Sequence, residues 1–152
     1  MNRILLAAAI ILVAACSRQK QTTAAPGKAG YGDDRTEEVE MLNNQTFKLN
    51  ERTTDSTYGY TKENPVKVGG VNDGPMNERR FLNALLGPKY ESVGYERRGS
   101  CCPFKTPNGM LNNTGMLDIY RVYWEGGKDT VILYLNMYDK GNLKIPVGFN
   151  AR

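Results

Sequence analysis

The feature that most constrains the fold is a pair of β-type segments joined by a short, glycine-containing turn. Over residues 117–124 one set of side chains, Leu117, Ile119, Arg121 and Tyr123, alternates with a second, Asp118, Tyr120, Val122 and Trp124. Residues 130–138 are rich in β-branched and aromatic side chains. The sequence between them, Glu-Gly-Gly-Lys at residues 125–128, is typical of a tight reversal. Because an alternating strand buries one face and needs a partner strand, we predict an antiparallel hairpin here.

A helix is predicted over residues 76–86. Four apolar side chains recur there at helical spacing: Phe81, Leu82, Leu85 and Leu86. Asp73 is suited to cap the first turn, and Gly87, in a left-handed conformation before Pro88, is suited to end the helix. A further strand is predicted over residues 90–97, followed by a loop over residues 98–113 that is marked by glycine, proline and asparagine.

The N-terminus has the pattern of an export signal. Arg3 precedes an apolar run over residues 4–13, which at about 10 residues is too short to span a bilayer. The run ends in Val-Ala-Ala before Cys16, which resembles a bacterial lipobox. That resemblance implies a signal peptide over residues 1–15, removed by cleavage. It also implies a thioether-linked diacylglycerol on Cys16 and a third acyl chain, such as palmitate, on its freed amine.

The predicted organisation is a signal peptide over residues 1–15, a lipidated cysteine and flexible linker over residues 16–40, and one small domain over residues 41–152. The linker is rich in Gln, Thr, Ala, Pro and Gly and lacks apolar periodicity, so it buries too little surface to offset the entropy of ordering. The domain is predicted to be α+β, a mostly antiparallel sheet with one packed helix. Ser17 after the lipidated cysteine, by resemblance to lipoprotein sorting rules, favours the periplasmic face of an outer membrane.

Composition narrows the chemistry of the chain. It contains no histidine, which removes Ser-His-Asp and Cys-His arrangements and imidazole metal sites. The net charge of +4 is mild and mixed, which argues against a nucleic-acid partner. No metal and no cofactor beyond the covalent lipid is expected. An enzyme would have to use carboxylates, Lys, Tyr or Cys, and the candidates are Glu63, Glu78 and Asp118, with Lys62 or Tyr60.

Cys101 and Cys102 are the other two cysteines of the chain. Neighbouring Cα atoms lie about 3.8 Å apart, whereas disulfides prefer about 4.4–6.8 Å, so a bridge between them would be strained. Three states remain open: a vicinal disulfide that rigidifies the loop, two buried thiols that pack as small apolar groups, or a redox pair or bridge to another chain. Two thiols without histidine make a poor zinc site.

A set of basic residues flanks the cysteine pair: Arg79, Arg80, Lys89, Arg97, Arg98 and Lys105. If these side chains converge, they would suit a phosphate or carboxylate of lipopolysaccharide or a cell-wall polymer, because arginine binds such groups bidentately. The alternative is a solvated helix face and unrelated loop charges.

Several segments together resemble a family of small bacterial envelope lipoproteins. They are residues 58–70 (YGYTKENPVKVGG), 78–88 (ERRFLNALLGP), 99–107 (GSCCPFKTP), 117–118, 133–139 (LYLNMYD) and 146–149 (PVGF). Members are often labelled 2-dehydro-3-deoxyphosphooctonate aldolase. Aldolases of that type resemble (β/α)₈ barrels of about 250 residues, and the domain predicted here is less than half that length.

The function that the sequence favours is therefore a lipid-anchored envelope protein whose domain is a non-catalytic binding or scaffolding module. Its partners would be membrane lipid, through the acyl anchor, and an envelope polymer or protein complex. A small envelope enzyme and a thiol-based redox module are the alternatives.

Overall fold

The computed structural model describes residues 32–70 and 72–152. The predicted signal peptide, Cys16 and most of the predicted linker lie outside the described residues. Among the residues described, no helix combines the length and apolar character that a membrane crossing requires.

Eight strands and one helix follow one another along the described chain. In order they are β1 (Met41–Asn43), β2 (Thr46–Phe47), β3 (Val66–Lys67), α1 (Gly74–Ala84), β4 (Leu85–Leu86), β5 (Val93–Lys105), β6 (Thr114–Trp124), β7 (Thr130–Asn136) and β8 (Asn150–Ala151). The principal sheet has the order β3-β7-β6-β5, with β3 parallel to β7 and the other pairs antiparallel. Two small ladders, β1-β2 and β4-β8, complete the β-structure.

The predicted hairpin is confirmed as the β6-β7 pair. Asp118 lies opposite Leu135 at one end of the ladder, and Tyr123 lies opposite Thr130 at the other. Within the turn, Gly126 has a φ of +72°, a conformation that glycine adopts without steric cost. The turn residues therefore set the register that the alternating pattern requires.

The predicted loop over residues 98–113 is wrong for its first half. Strand β5 continues without a break through Gly94 and the cysteine pair to Lys105. Its pairing with β6 shifts register twice, between Arg97 and Gly99 and between Cys101 and Pro103. Such bulges accommodate glycine and proline in an edge strand. Residue types that usually indicate a loop therefore lie here within a hydrogen-bonded strand.

The helix begins and ends two residues before its predicted bounds. Asp73 stands at the N-cap but its side chain makes no capping hydrogen bond, contrary to the prediction. Gly87 does not end the helix either, because Leu85 is already extended (φ −77°, ψ 149°). Leu85 and Leu86 pair instead with Ala151 and Asn150, so a long-range ladder replaces the last predicted helical turn.

Residues 32–40, predicted as linker, already pack against the body of the protein. The backbone N–H groups of Asp34 and Arg35 donate to the Lys140 carbonyl at 2.8 and 3.0 Å. The Arg35 guanidinium donates to the carbonyls of Gly141 (2.8 Å) and Val68 (3.0 Å). The packed part of the chain therefore starts closer to the N-terminus than residue 41. The contacts that hold it are polar, so they give no apolar pattern in the sequence.

The core lies between α1 and the inner face of the principal sheet. Its fully buried side chains include Phe81, Leu82, Val66, Val122, Leu133 and Leu135. The described residues thus form an α+β fold with a mostly antiparallel sheet and one helix, as predicted. A (β/α)₈ barrel would need eight parallel strands alternating with eight helices, and the described part of the chain has a different architecture.

Candidate functional site

Two of the three carboxylates proposed from the sequence meet inside the protein. Glu78 projects from α1 and is fully buried, and Asp118 projects from β6 and is 4% exposed. Their carboxyl groups lie close enough that each shifts the pKa of the other. Glu63 lies elsewhere, on the surface, where its carboxylate is 3.8 Å from the Lys62 ammonium. We call Glu78, Asp118 and the three side chains that bind them (Arg97, Ser100 and Tyr120) the carboxyl cluster.

Glu78 is the neutral member of the pair. Burial raises its pKa to about 8, and the negative charge of Asp118 contributes to the increase. Tyr120 donates a hydrogen bond of 2.9 Å to Oε2, while Oε1 is buried with no donor directed at it. A protonated carboxyl group carries its own O–H donor, so Oε1 is satisfied when it donates to Asp118. The two carboxyl groups therefore share one proton near neutral pH.

Asp118 is the charged member. Burial by itself raises the pKa of this carboxyl, but hydrogen bonds from Arg97 and Ser100 outweigh that effect and hold the pKa below its ordinary value. Arg97 binds it bidentately, with Nε to Oδ2 at 2.8 Å and Nη2 to Oδ1 at 2.7 Å. The Ser100 hydroxyl donates to Oδ1 at 2.6 Å. Charge-assisted bonds of this kind are roughly twice as strong as neutral ones, and they compensate for burying the charge.

The bulge in β5 is what assembles this cluster. Residues 97 and 100 are three positions apart, so a regular strand would direct their side chains to opposite faces. The register shift between Arg97 and Gly99 adds one residue, and both side chains then reach Asp118. Nothing in the sequence marks Ser100 as a member of this cluster. Tyr120 was not predicted as a partner either, although its place two residues after Asp118 on an alternating strand puts both side chains on one face.

The vicinal disulfide follows the cluster directly in β5. Cys101 and Cys102 are bonded to each other, with Cα atoms 3.7 Å apart, which is the first of the three states left open by the sequence. Cys102 has a φ of +56°, a conformation uncommon for residues other than glycine. Both cysteines are partly exposed on the edge strand of the principal sheet.

Most of the predicted anion-binding side chains have partners within the protein. Arg97 binds Asp118, Arg98 lies 3.0 Å from Glu96, Arg80 donates to the Asn44 carbonyl at 3.1 Å, and Lys105 donates to the Asn112 carbonyl at 3.0 Å. Arg79 and Lys89 are exposed, on α1 and in the loop after β4. These contacts distribute the set over the helix, the edge strand and a loop.

A groove of about 230 Å³ lies elsewhere on the surface and shares no residue with the carboxyl cluster. Its lining includes four glutamates: Glu37, Glu38, Glu40 and Glu51. In residues 32–70 and 72–152, no group of three or more Cys, Asp or Glu side chains is arranged to hold a metal ion.

Comparison of the chain with protein-family models, with curated proteins and with solved structures found no match.

Proposed function

We propose that this chain is a lipid-anchored cell-envelope protein, a member of the family of small bacterial envelope lipoproteins that it resembles. Signal cleavage after residue 15 and acylation of Cys16 would hold it on the periplasmic face of an outer membrane. The folded part would act as a non-catalytic binding or scaffolding module for an envelope polymer or protein complex. The lipobox pattern supports the anchor, and the geometry of the carboxyl cluster supports the absence of catalysis.

The observation that carries the non-catalytic assignment is the enclosure of Glu78 and Asp118. A general acid or base must come within hydrogen-bond reach of the atom that it protonates or deprotonates. Glu78 is fully buried, and its carboxyl oxygens face Tyr120 and Asp118. Both oxygens of Asp118 are occupied by Arg97 and Ser100. This arrangement stabilises the packing of α1 against the sheet and leaves neither carboxyl open to a substrate.

The outer face of the principal sheet is the surface best suited to a partner. Tyr123 and Ile132 are 42% and 39% exposed on it, and the Arg121 guanidinium lies 5.9 Å from the centre of the Tyr123 ring. An exposed aromatic ring beside an arginine suits a sugar ring or a protein surface. The edge of the sheet is a poorer site, because β5 carries two bulges and Pro103, which oppose the addition of another strand.

Two measurements test this proposal. Metabolic labelling with palmitate should mark the wild-type chain and fail to mark a Cys16→Ala variant, and equal labelling of both would contradict the anchor.

Cross-linking in intact cells followed by capture from detergent-solubilised envelopes should recover a partner with the wild type. A Tyr123→Ala/Ile132→Ala variant should recover less of it, and a Thr57→Ala variant, altered at an exposed position outside the sheet, should recover the same amount. No difference between these two variants would exclude the outer face.

A thiol-based redox module is a second candidate, favoured by the partly exposed vicinal disulfide. A dithiol donor would supply two electrons and two protons, cleaving the Cys101–Cys102 bond to two thiols while the donor becomes a disulfide. Mass spectrometry after graded glutathione treatment and alkylation tests this directly. Addition of two alkyl groups at mild reducing strength, without unfolding, supports the redox function. A disulfide that persists until the fold is lost rules it out.

A further inference from the structure

The loop that joins β5 to β6 holds two large apolar side chains in solvent. Met110 is 71% exposed and Leu111 is 79% exposed. A single exposed apolar side chain is common on protein surfaces, but two adjacent exposed apolar side chains at the end of a hairpin form a small apolar surface. We call residues 107–112 the hairpin tip.

Backbone hydrogen bonds close the hairpin tip. The Thr106 N–H donates to the Asn113 carbonyl at 2.9 Å, and the Thr114 N–H donates to the Leu111 carbonyl at 2.9 Å. Asn112 and Asn113 have φ values of +49° and +53°, which asparagine tolerates better than most residues. A Cβ on Gly109 would lie 2.3 Å from the Thr114 backbone nitrogen, so this close approach requires glycine. The apolar pair is therefore displayed by a defined loop.

The described chain begins at this same end of the molecule. Gly32 lies against the Pro107 ring, with 3.6 Å between an ideal Cβ on Gly32 and Pro107 Cδ. The Asn108 side-chain amide donates to Asp33 Oδ1 at 2.8 Å. Met110 and Leu111 follow Asn108 by two and three residues, which is at most about 7–11 Å of extended chain. Gly32, the first described residue, thus lies at the same end of the molecule as the apolar pair.

From this juxtaposition we propose that Met110 and Leu111 insert into the interfacial region of a lipid bilayer, as a second membrane contact beside the acyl anchor. The proposal rests on the acylation of Cys16 proposed above. Fifteen residues separate Cys16 from Gly32, which sets an upper limit of about 55 Å of fully extended chain between them. The anchor would keep the hairpin tip at a high effective concentration near the bilayer, where even a weak apolar contact is populated.

The chemistry of the tip fits a bilayer interface. Apolar side chains bind there in proportion to the area that they bury, and cationic groups add attraction to anionic headgroups. Lys105 lies at the base of the tip, where its ammonium donates to the Asn112 carbonyl and to Thr114 Oγ1, both at 3.0 Å. Asp34, at the same end, is paired with the Lys67 ammonium at 2.7 Å.

The test uses the acylated full-length protein on vesicles of phosphatidylethanolamine and phosphatidylglycerol whose acyl chains are brominated. A Leu111→Trp variant reports contact with the chains by fluorescence quenching, and the wild type, which contains only Trp124, supplies the background. The matched control is Tyr123→Trp, an exposed position near the opposite end of β6, about 30 Å from Thr114. We expect the fraction quenched for Leu111→Trp to be at least double that of the control.

Vesicle flotation, run in parallel, separates the two ways in which the test can fail. If the wild type floats with the vesicles and Leu111→Trp is quenched no more than Tyr123→Trp, the hairpin tip does not insert and this inference is overturned while the anchor stands. If the wild type floats no better than Cys16→Ala, the acyl anchor fails, and the inference that rests on it fails too. Transfer between vesicles gives an independent check, since Met110→Asp/Leu111→Asp should transfer several-fold faster than the wild type.

Discussion

The Tyr120 hydroxyl donates a hydrogen bond of 2.9 Å to Oε2 of Glu78, deep between the helix and the sheet. This contact supports a neutral glutamic acid in the core, whose second oxygen is buried with no donor directed at it and can carry the proton. Burying a polar group is costly unless each of its atoms has a hydrogen-bond partner, so each side chain of the carboxyl cluster is needed to satisfy the others.

Stability should fall as pH rises from about 4.5 to about 8. The ordinary pKa of the Glu78 carboxyl is 4.5, whereas burial raises it to about 8 in the folded protein. Between these values the unfolded chain has released the proton and the folded chain retains it. The free energy of unfolding then decreases by up to about 1.4 kcal/mol per pH unit. Urea denaturation of the full chain at several pH values measures this slope.

Glu78→Gln should remove most of that slope, because the amide accepts from Tyr120 and donates to Asp118 without titrating. The matched control is Glu63→Gln, at an exposed carboxylate, which should leave the slope as in the wild type. A Glu78→Gln protein that retains the wild-type pH dependence would contradict the protonation state assigned to Glu78.

Tyr120→Phe should destabilise the protein by about 1–3 kcal/mol, since it leaves Oε2 of Glu78 buried without a donor. The hydrogen bond from Tyr120 lowers the pKa of Glu78, so its loss should also move the high-pH end of the stability decrease upward. Tyr123→Phe, on the exposed outer face, is the control and should change stability by less than about 0.5 kcal/mol. Equal effects of the two substitutions would show that the buried hydroxyl is not needed.

Arg97→Ala should cost about 1–3 kcal/mol at neutral pH, because the buried Asp118 charge loses its bidentate partner. The range allows for solvent screening of Arg97, whose side chain is 49% exposed. The loss should shrink as pH falls below 3.8, the ordinary pKa of Asp118, because the stability that the charged carboxyl contributes is lost progressively down to its lowered pKa in the fold. Arg98→Ala, which removes only an exposed pair with Glu96, should be nearly neutral. Thermal unfolding of both variants at neutral pH and below pH 3.8 measures the two stability losses and their pH dependence.

Leu133→Ala should destabilise the fold by about 2–5 kcal/mol through the cavity that it leaves in the core. Its neighbour Ile132 points to the outer face and is 39% exposed, so Ile132→Ala should cost less than about 1 kcal/mol. Denaturant midpoints of the two variants provide the comparison. A reversal of their order would mean that the two faces of β7 are assigned the wrong way round.

Local patterns in the sequence were sufficient for the elements whose partners lie nearby. Alternation along residues 117–124 and the Glu-Gly-Gly-Lys turn predicted the β6-β7 hairpin, because both depend on neighbouring residues. The apolar spacing that includes Phe81 and Leu82 predicted α1 to within two residues at each end. The same reasoning failed at Leu85 and Leu86, where pairing with the distant residues Asn150 and Ala151 ends the helix.

The amino-acid sequence by itself determined the class of fold, the absence of histidine chemistry, the pattern around Cys16 and two of the carboxylates that later proved to be partners. Only the tertiary structure decided that Glu78 and Asp118 meet and that Ser100 joins them across a bulge. It also placed the start of the described chain against Pro107 and Asn108 of the hairpin tip. The physical reason is range. Periodicity and turns depend on residues that are close in the sequence. The carboxyl cluster and the contact of Asp33 with Asn108 depend instead on residues that are 40 to 80 positions apart in the chain.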